Sequence, residues 1–515
     1  MVSRSRALLI IGAAVWFSGC AVGPDFELPT VGVPKSFGTA SSTSATDSAP
    51  AAADFVRWWQ VLHDSRLNAL IERAVASNPD IEIALTRVQE ARTEQIVVLG
   101  ALLPTVGASA ATALGTGTDL TKGRAAQALR AGNNTTGIKS VSRIAGFDAG
   151  WELDLFGKNQ RLFEAVRDDA EAQMELRNAV LITIIADVAR NYLEIRGLQL
   201  RLEIARSDVA TAQKTVNLLL TQFDRGLSNE LDLTLARRQL ATQQARLPEL
   251  TAEISAAESR LALLLGTYSA DIVGDLQRPE RFPRISERLR PGVPIDLLRR
   301  RPDIRAAERD LAAATARIGM AIAELFPSVA ITAGFGLQGG TRVGSSPTQF
   351  KQATPIRGPI WSAGPGAYWP LLDFGRLDAL INIQEMKAHE LLVNYRKTII
   401  VAVEEVDQAI KQYQLDLAQK KALEVALVAS RRAVDLSMER YERGVTDFFN
   451  VLDAQRQQYA LEEQDAIAEE VVVLQYVAFY KALGGGWELY DELPPVPDAQ
   501  PAVVATVRRL LNDWH

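Results

Sequence analysis

The 515-residue chain has one cysteine and only three histidines. His63, His389 and His515 are scattered without metal-ligand spacing, and a single thiol cannot complete a zinc set. No Gly-x-Ser-x-Gly elbow and no phosphate-binding Walker loop occurs. Gly484-Gly485-Gly486 follows a helical pattern and reads as a helix stop, not a phosphate cradle. Acidic residues are plentiful, but on long amphipathic helices they read as a solvated face. Nothing marks an enzyme, and no cofactor or metal is implied. The net charge of −6 argues against a nucleic-acid partner.

Proline is missing from two long stretches, between Pro104 and Pro248 and between Pro370 and Pro494. Such stretches suit long helices. Aromatic residues make up only 7%. Beyond the N-terminus no run of 18 apolar residues occurs, so a transmembrane helix is not expected. A crossing would have to be a β-barrel.

The one cysteine is placed where it counts. Arg4 and Arg6 precede an apolar core from Ala7 to Phe17, the pattern of a secretory signal. Phe17-Ser18-Gly19-Cys20 resembles a bacterial lipobox, which implies a lipidated Cys20 after removal of residues 1–19. Phe17 stands where Leu is commonest. Ala21 follows, and the absence of Asp there implies sorting to the outer membrane.

What is present is a repeat. Trp151-Glu152-Leu153-Asp154-Leu155-Phe156-Gly157 returns 218 residues later as Trp369-Pro370-Leu371-Leu372-Asp373-Phe374-Gly375. The same offset joins Phe223-Asp224-Arg225-Gly226 to Tyr441-Glu442-Arg443-Gly444, and Leu265-Gly266 to Leu483-Gly484. An earlier piece repeats at 223: Pro79-Asp80-Ile81 with Pro302-Asp303-Ile304, and Pro104 with Pro327. Two copies of a unit of about 200 residues imply internal pseudo-symmetry, common in rings, channels and solenoids.

Each copy opens with a helical region, about Asp64 to Leu103 and about Ile295 to Phe326. The pattern then switches to period two. Val329, Ile331, Ala333, Phe335 and Leu337 alternate with small or polar residues, as do Phe147, Ala149, Trp151 and Leu153. A weaker strand is expected over 104–116. A fourth, about Ile360 to Leu372, would put Trp361, Ala363, Ala367, Trp369 and Leu371 on one face. Polar loops over 117–140 and 339–359 would join the pairs. Strands of this length suit a tilted bilayer crossing.

Arg376 to Arg443 then runs 68 residues without Gly or Pro. As one helix it would be about 100 Å long at ~1.5 Å per residue. Ile399, Val403, Val406, Ile410, Tyr413 and Leu417 follow coiled-coil spacing, repeated as Leu181, Ile185, Val188, Tyr192, Ile195 and Gln199. Gly226 and Gly444 would close the long helices, and shorter ones would return over 229–265 and 447–483.

The expected division is a signal peptide (1–19), an extended lipid-anchored segment (20–53) and a first repeat (54–266). A linker (267–294), a second repeat (295–484) and a tail (485–515) complete it. Residues 36–53 are Ala/Ser/Thr-rich. The stretch from Gly484 to the end, with Pro494-Pro495-Val496-Pro497, is expected to be peripheral.

Three motifs together carry a resemblance. Gly19-Cys20-Ala21-Val22-Gly23-Pro24-Asp25-Phe26 resembles the mature start of outer-membrane factor lipoproteins, the TolC-like exit ducts. Arg300-Arg301-Pro302-Asp303-Ile304 resembles their interhelix motif. Tyr441-x-x-Gly444 through Asn450-Val451-Leu452-Asp453-Ala454-Gln455-Arg456 resembles their helix-tip motif. The resemblance spans nearly the whole mature chain, in order, with the duplication.

It implies a mainly α protein with a β-barrel part. Three protomers would share one 12-stranded barrel, continued by a helical barrel in the periplasm. It implies the passive exit duct of a tripartite RND-type efflux system for drugs or other small molecules. Its partners would be two further copies, a periplasmic adaptor, an inner-membrane transporter and outer-membrane lipid. Carried over residue by residue, Phe449, Asp453 and Arg456 would form the periplasmic gate, at i, i+4 and i+7 on one helix stripe. Tyr441 would tether it. Leu231, Leu235 and Arg238 take the equivalent places in the first copy. Arg225, Gly226, Arg443 and Gly444 would meet the adaptor. The alternatives are a type I protein-secretion duct and a non-channel periplasmic coiled-coil scaffold.

Overall fold

A computed structural model describes residues 21–34, 37, 55–115, 140–226, 228–276, 301–343 and 353–490, with isolated positions between 282 and 300. The leader, Cys20, nearly all of 36–53, the first strand-joining loop, most of the linker and Pro494–Pro497 lie outside the described residues. In chain order come α1 (Ser65–Ser77), α2 (Pro79–Ala101), β1 (Thr105–Gly115), β2 (Ser140–Leu153), α3 (Lys158–Asp224) and α4 (Glu230–Leu264). The second repeat follows with α5 (Pro302–Ala323), β3 (Ser328–Val343), β4 (Ala353–Tyr368), α6 (Arg376–Glu442) and α7 (Phe448–Leu483).

The duplication is carried by glycines. α3 and α6 are each 67 residues long. Gly157 and Gly375 open them in the left-handed conformation, and Gly226 and Gly444 follow their ends at φ 71° and 70°. A side chain there would be strained even though space around both tip glycines is open. Between these points the seam is apolar. Leu181, Ile185, Val188, Tyr192 and Ile195 are buried, and so are Ile399, Val406, Ile410 and Tyr413.

The second conserved joint is polar. Asn78 caps α2 by accepting from the Asp80 and Ile81 amides, with Pro79 at the first helical position. Its Nδ2 donates to the Leu264 carbonyl at 2.8 Å. Arg301 stands at the equivalent place before α5, and its Nη1 donates to the equivalent carbonyl, Ala482, at 2.7 Å. Each repeat thus ties the start of its short helix to the end of its return helix.

The helices form two antiparallel hairpins, α3 with α4 and α6 with α7. Because α7 also packs on α3, the layer runs α4–α3–α7–α6. α5 bridges α3 and α6, while α2 rests on α3. Above them is one antiparallel sheet, ordered β1-β2-β3-β4, whose central pair β2–β3 joins the two repeats. The layer is open at both sides, with β1 and β4 as free edges.

Three expectations need correction. The fourth strand ends at Tyr368, so Trp369 and Leu371 lie beyond it. The second connecting loop is far shorter than 339–359, because β3 continues to Val343 and β4 begins at Ala353. Gly339, Gly340, Pro355 and Pro359 read as loop, yet Gly339 pairs with Arg357 and Thr341 with Pro355. β4 has a neighbour on one side only, where proline is tolerated.

The tail, too, is not peripheral at its start. Gly485 and Gly486 lie so close to Phe55 and the Trp59 ring that a Cβ would collide, and Trp487 is buried. This knot includes Trp58 stacked on Tyr480 at 5.7 Å.

Candidate functional site: wall, junction and helix tips

The sheet has two unlike faces. Strand register puts Val106, Ala108 and Ala110 beside Ala149, Phe147 and Ala145. These continue across β3 as Ala333, Phe335 and Leu337, and across β4 as Ala363, Trp361 and Pro359. This face is apolar and bare: Phe147 is 63% exposed, Phe335 59% and Trp361 77%. The other face carries Gly107, Ser109, Gly146, Asp148, Gly150, Glu152, Thr332, Gly334, Gly336 and Ser362. One side suits hydrocarbon and the other water, with small side chains leaving room. Strands of 11, 14, 16 and 16 residues meet or exceed the length a tilted crossing needs.

Aromatic residues mark the junction of sheet and helices. Trp151 Nε1 donates to the Leu102 carbonyl at 3.0 Å. Its repeat partner Trp369 donates to Leu325 at 2.9 Å. Phe156 stacks on Phe326 at 4.7 Å. Such rings sit well where one end of a side chain is apolar and the other wet.

The N-terminal segment is clamped to this junction. The buried Arg161 donates from Nε to the Val22 carbonyl at 3.2 Å and from Nη2 to the Gly23 carbonyl at 3.3 Å. It also pairs with Asp25 at 2.7 Å and Glu164 at 2.8 Å. The Val22 amide donates to Phe156 O at 3.2 Å. Gly23 has φ 96° and lies against Gly319, while Ala21 lies against Gly157. Cys20 is outside the described residues, but its neighbour Ala21 is at the foot of β2.

Lower down, acidic residues enter the seam, contrary to the expected solvated face. Asp208 is buried at a seam position among Ala205, Ala212, Val216 and Leu219. Burial, with the facing Glu462 carboxyl next in effect, pushes its pKa up to about 7. Glu462 is held by Arg431 at 3.0 Å and accepts from Gln458 at 3.1 Å. Glu463 pairs with Arg201 at 3.3 Å and with Arg246. Burial also pushes Glu470 up to about 7.

At the tips, Tyr441 is half-buried. Its Oη donates to Gln222 Oε1 at 2.9 Å, joining α6 to α3, and its ring meets Phe448 edge-on at 5.5 Å. Phe448, Val451 and Leu452 bury against Val216, Leu219, Leu233 and Ala236. Phe449, Asp453 and Arg456 share the opposite, exposed stripe of α7. In the first copy Leu231 and Arg238 are exposed and Leu235 is half-buried. Arg443 pairs with Glu439, and Arg225 is exposed beside Gly226.

Among the described residues no cluster of three metal-ligating side chains occurs, and no helix is long and apolar enough to cross a membrane. The features that remain are a two-faced sheet, long helices and an exposed tip.

Known proteins share this arrangement. The family model described as "Outer membrane efflux protein" matches residues 70–267 and 293–485. The pyoverdine export outer membrane protein OpmQ of Pseudomonas putida is 32% identical over 471 residues, covering 89% of this chain and 94% of that one. The toluene efflux pump outer membrane protein TtgF of the same species is 30% identical over 503 residues, 94% and 98% of the two chains. The solved outer-membrane channel OprN superposes with TM-score 0.79 at 33% identity, over 91% of this chain and all of that one.

Proposed function

The chain belongs to the outer membrane efflux protein family, and on that premise we propose how its parts make an export duct. It is an outer-membrane channel of a Gram-negative cell, reaching into the periplasm as the exit of a multi-component pump. The observation that carries this is the bare apolar face of the sheet set on 67-residue helices. The wall performs no chemistry. Energy comes from the transporter at the other end. Relatives named for pyoverdine and for toluene are similarly close, which supports a wall that does not choose the cargo.

The duct is a homotrimer in this reading. A four-stranded sheet leaves β1 and β4 unpaired, and two long edges are untenable in lipid. Three copies close them into 12 strands and give the outer face of α6 a neighbour. Cys20 bears the lipid, which the clamp on Val22 and Gly23 holds at the foot of β2. The tip turns at Arg225-Gly226 and Arg443-Gly444 receive the periplasmic adaptor, whose partner is an RND-type transporter. Phe449, Asp453 and Arg456 line the narrowest point, and Tyr441 holds the two hairpins of one copy together there.

Purified protein tests this directly. In planar bilayers it forms channels, and in detergent its mass is that of three copies. A detergent-free monomer that keeps the full helical signal and never conducts would refute the duct.

A further inference from the structure

In a ring of copies the two repeats must meet twice, once within a copy and once between copies. Within a copy, the first repeat's α3 meets the second repeat's α5. By the duplication, α6 is the equivalent of α3 and α2 the equivalent of α5. The second meeting therefore sets α6 of one copy against α2 of the next. This rests on the closed-ring reading above.

The internal contact is a charged one. Arg305 pairs with Glu175 at 2.5 Å, and Arg309 with Glu171 at 3.3 Å and Asp168 at 3.5 Å. Arg317 pairs with Asp169, and Asp310 lies close enough to Asp169 to raise its own pKa after burial. Asp168, Glu175 and Ile182 are all buried here.

The equivalent positions are exposed, and their charges are either reversed or lost. Residues 79–104 align with 302–327, and 157–182 with 375–400, without a gap. Asp169 becomes Lys387, Asp310 becomes Arg87, and Arg317 becomes Glu94. Every sign in the triad changes, so the attraction survives. Arg305 likewise becomes Glu82. Asp168, Glu175 and Ile182 become Met386, Val393 and Ile400, which are 64%, 50% and 62% exposed. Lys387, Arg87 and Glu94 are exposed and make no ion pair among the described residues of their own copy. The ring pair follows the same rule: Phe156 stacks on Phe326, whereas their equivalents Phe374 and Leu103 are both exposed.

We propose that the outer face of α6 is the seat of α2 from a second copy, with Lys387 paired to Glu94 of that copy and Phe374 against its Leu103. The reversed signs also reject the wrong neighbour. α5 of another copy, carrying Arg305, Arg309 and Arg317, would bring its cations to Lys387.

Cysteines at both positions test it, because the chain's one native cysteine is the lipid-bearing Cys20. A Glu94→Cys/Lys387→Cys double variant, treated with a short bismaleimide in detergent, gives covalent dimers and trimers on a denaturing gel. Either single variant gives monomers. Monomer bands from the double variant, in protein whose native mass is trimeric, overturn this contact and leave the trimer standing. A monomeric native mass overturns the trimer itself. In a second arm, Lys387→Glu and Glu94→Lys each lower the temperature at which the detergent trimer dissociates, and their combination restores it. Failure of the combination to restore it also overturns the pairing.

Discussion

Asp208 of α3 and Glu462 of α7 face one another as two carboxyls across the seam between the repeats, and after burial it is Glu462 that most raises the Asp208 pKa. Asp208 is the member of the pair that holds a proton more readily. Glu463, Tyr459 and Arg246 surround the pair, and Arg431 holds Glu462 from α6. Asp208 titrates at about 7 in the fold against about 3.9 unfolded. The folded state therefore binds more protons between these values, and stability falls as pH rises through that window. The melting temperature in detergent should drop from pH 5 to pH 8. Asp208→Asn, which keeps a donor toward Glu462, should flatten that slope and raise the midpoint at pH 8. An unchanged slope would show that the pair does not govern it.

The tip makes a separate prediction. In the trimer proposed above, three Asp453 carboxylates would converge on an axis, favour cations and repel one another. Asp453→Ala should raise single-channel conductance in planar bilayers and weaken block by multivalent cations. Leu235→Ala, at the equivalent place in the first repeat, should change cation block far less. If conductance and block both stay as they were in a folded trimer, the constriction is elsewhere, with Phe449 the next residue to replace.

Gly23 sits at φ 96° with no room for a Cβ beside Gly319. Gly23→Ala should lift the N-terminal segment off Arg161. Proteinase K should then cut within residues 21–34 several times faster while channels still form. An unaltered cutting rate would mean the clamp does not depend on that close approach.

Lipidation can be read by mass. Wild-type protein should begin at Cys20 and carry acyl chains, and Cys20→Ser should lose them. The barrel is itself an anchor, so Cys20→Ser should still insert, with a lower yield of trimer. Intact residues 1–19 on the mature wild-type chain would dispose of the anchor.

Much of this fold could be read from the residues because its signals are periodic. The second long helix follows from 68 residues without Gly or Pro, the first from the repeated seam that runs past Gly197, and their ends from Gly226 and Gly444. The two-faced strand around Phe335 follows from strict alternation. The strand ends did not follow, because Gly339 and Pro359 break a pattern on paper but not an edge ladder. Asp208 was hidden for a related reason. One carboxylate on a long helix looks like solvent-facing charge until Glu462, 254 residues away in the sequence, is placed opposite it. Trp487 was hidden because burial of a tail depends on a groove, here the one at Trp58 and Trp59, that no local pattern announces.

Ala21 lies against the Gly157 turn, whereas the equivalent Gly375 turn is open. In the lipidated trimer proposed above, tethers would stand at alternate junctions, a third of a revolution apart. Three evenly spaced holds at one level fix a plane. The duct cannot lean without slackening one tether and loading another. Below that plane hang helices of roughly 100 Å, so a sideways tug at the tips acts on the collar through a long lever. Each Arg161 clamp is then a mechanical stop, sharing torque that the barrel seams would otherwise carry alone.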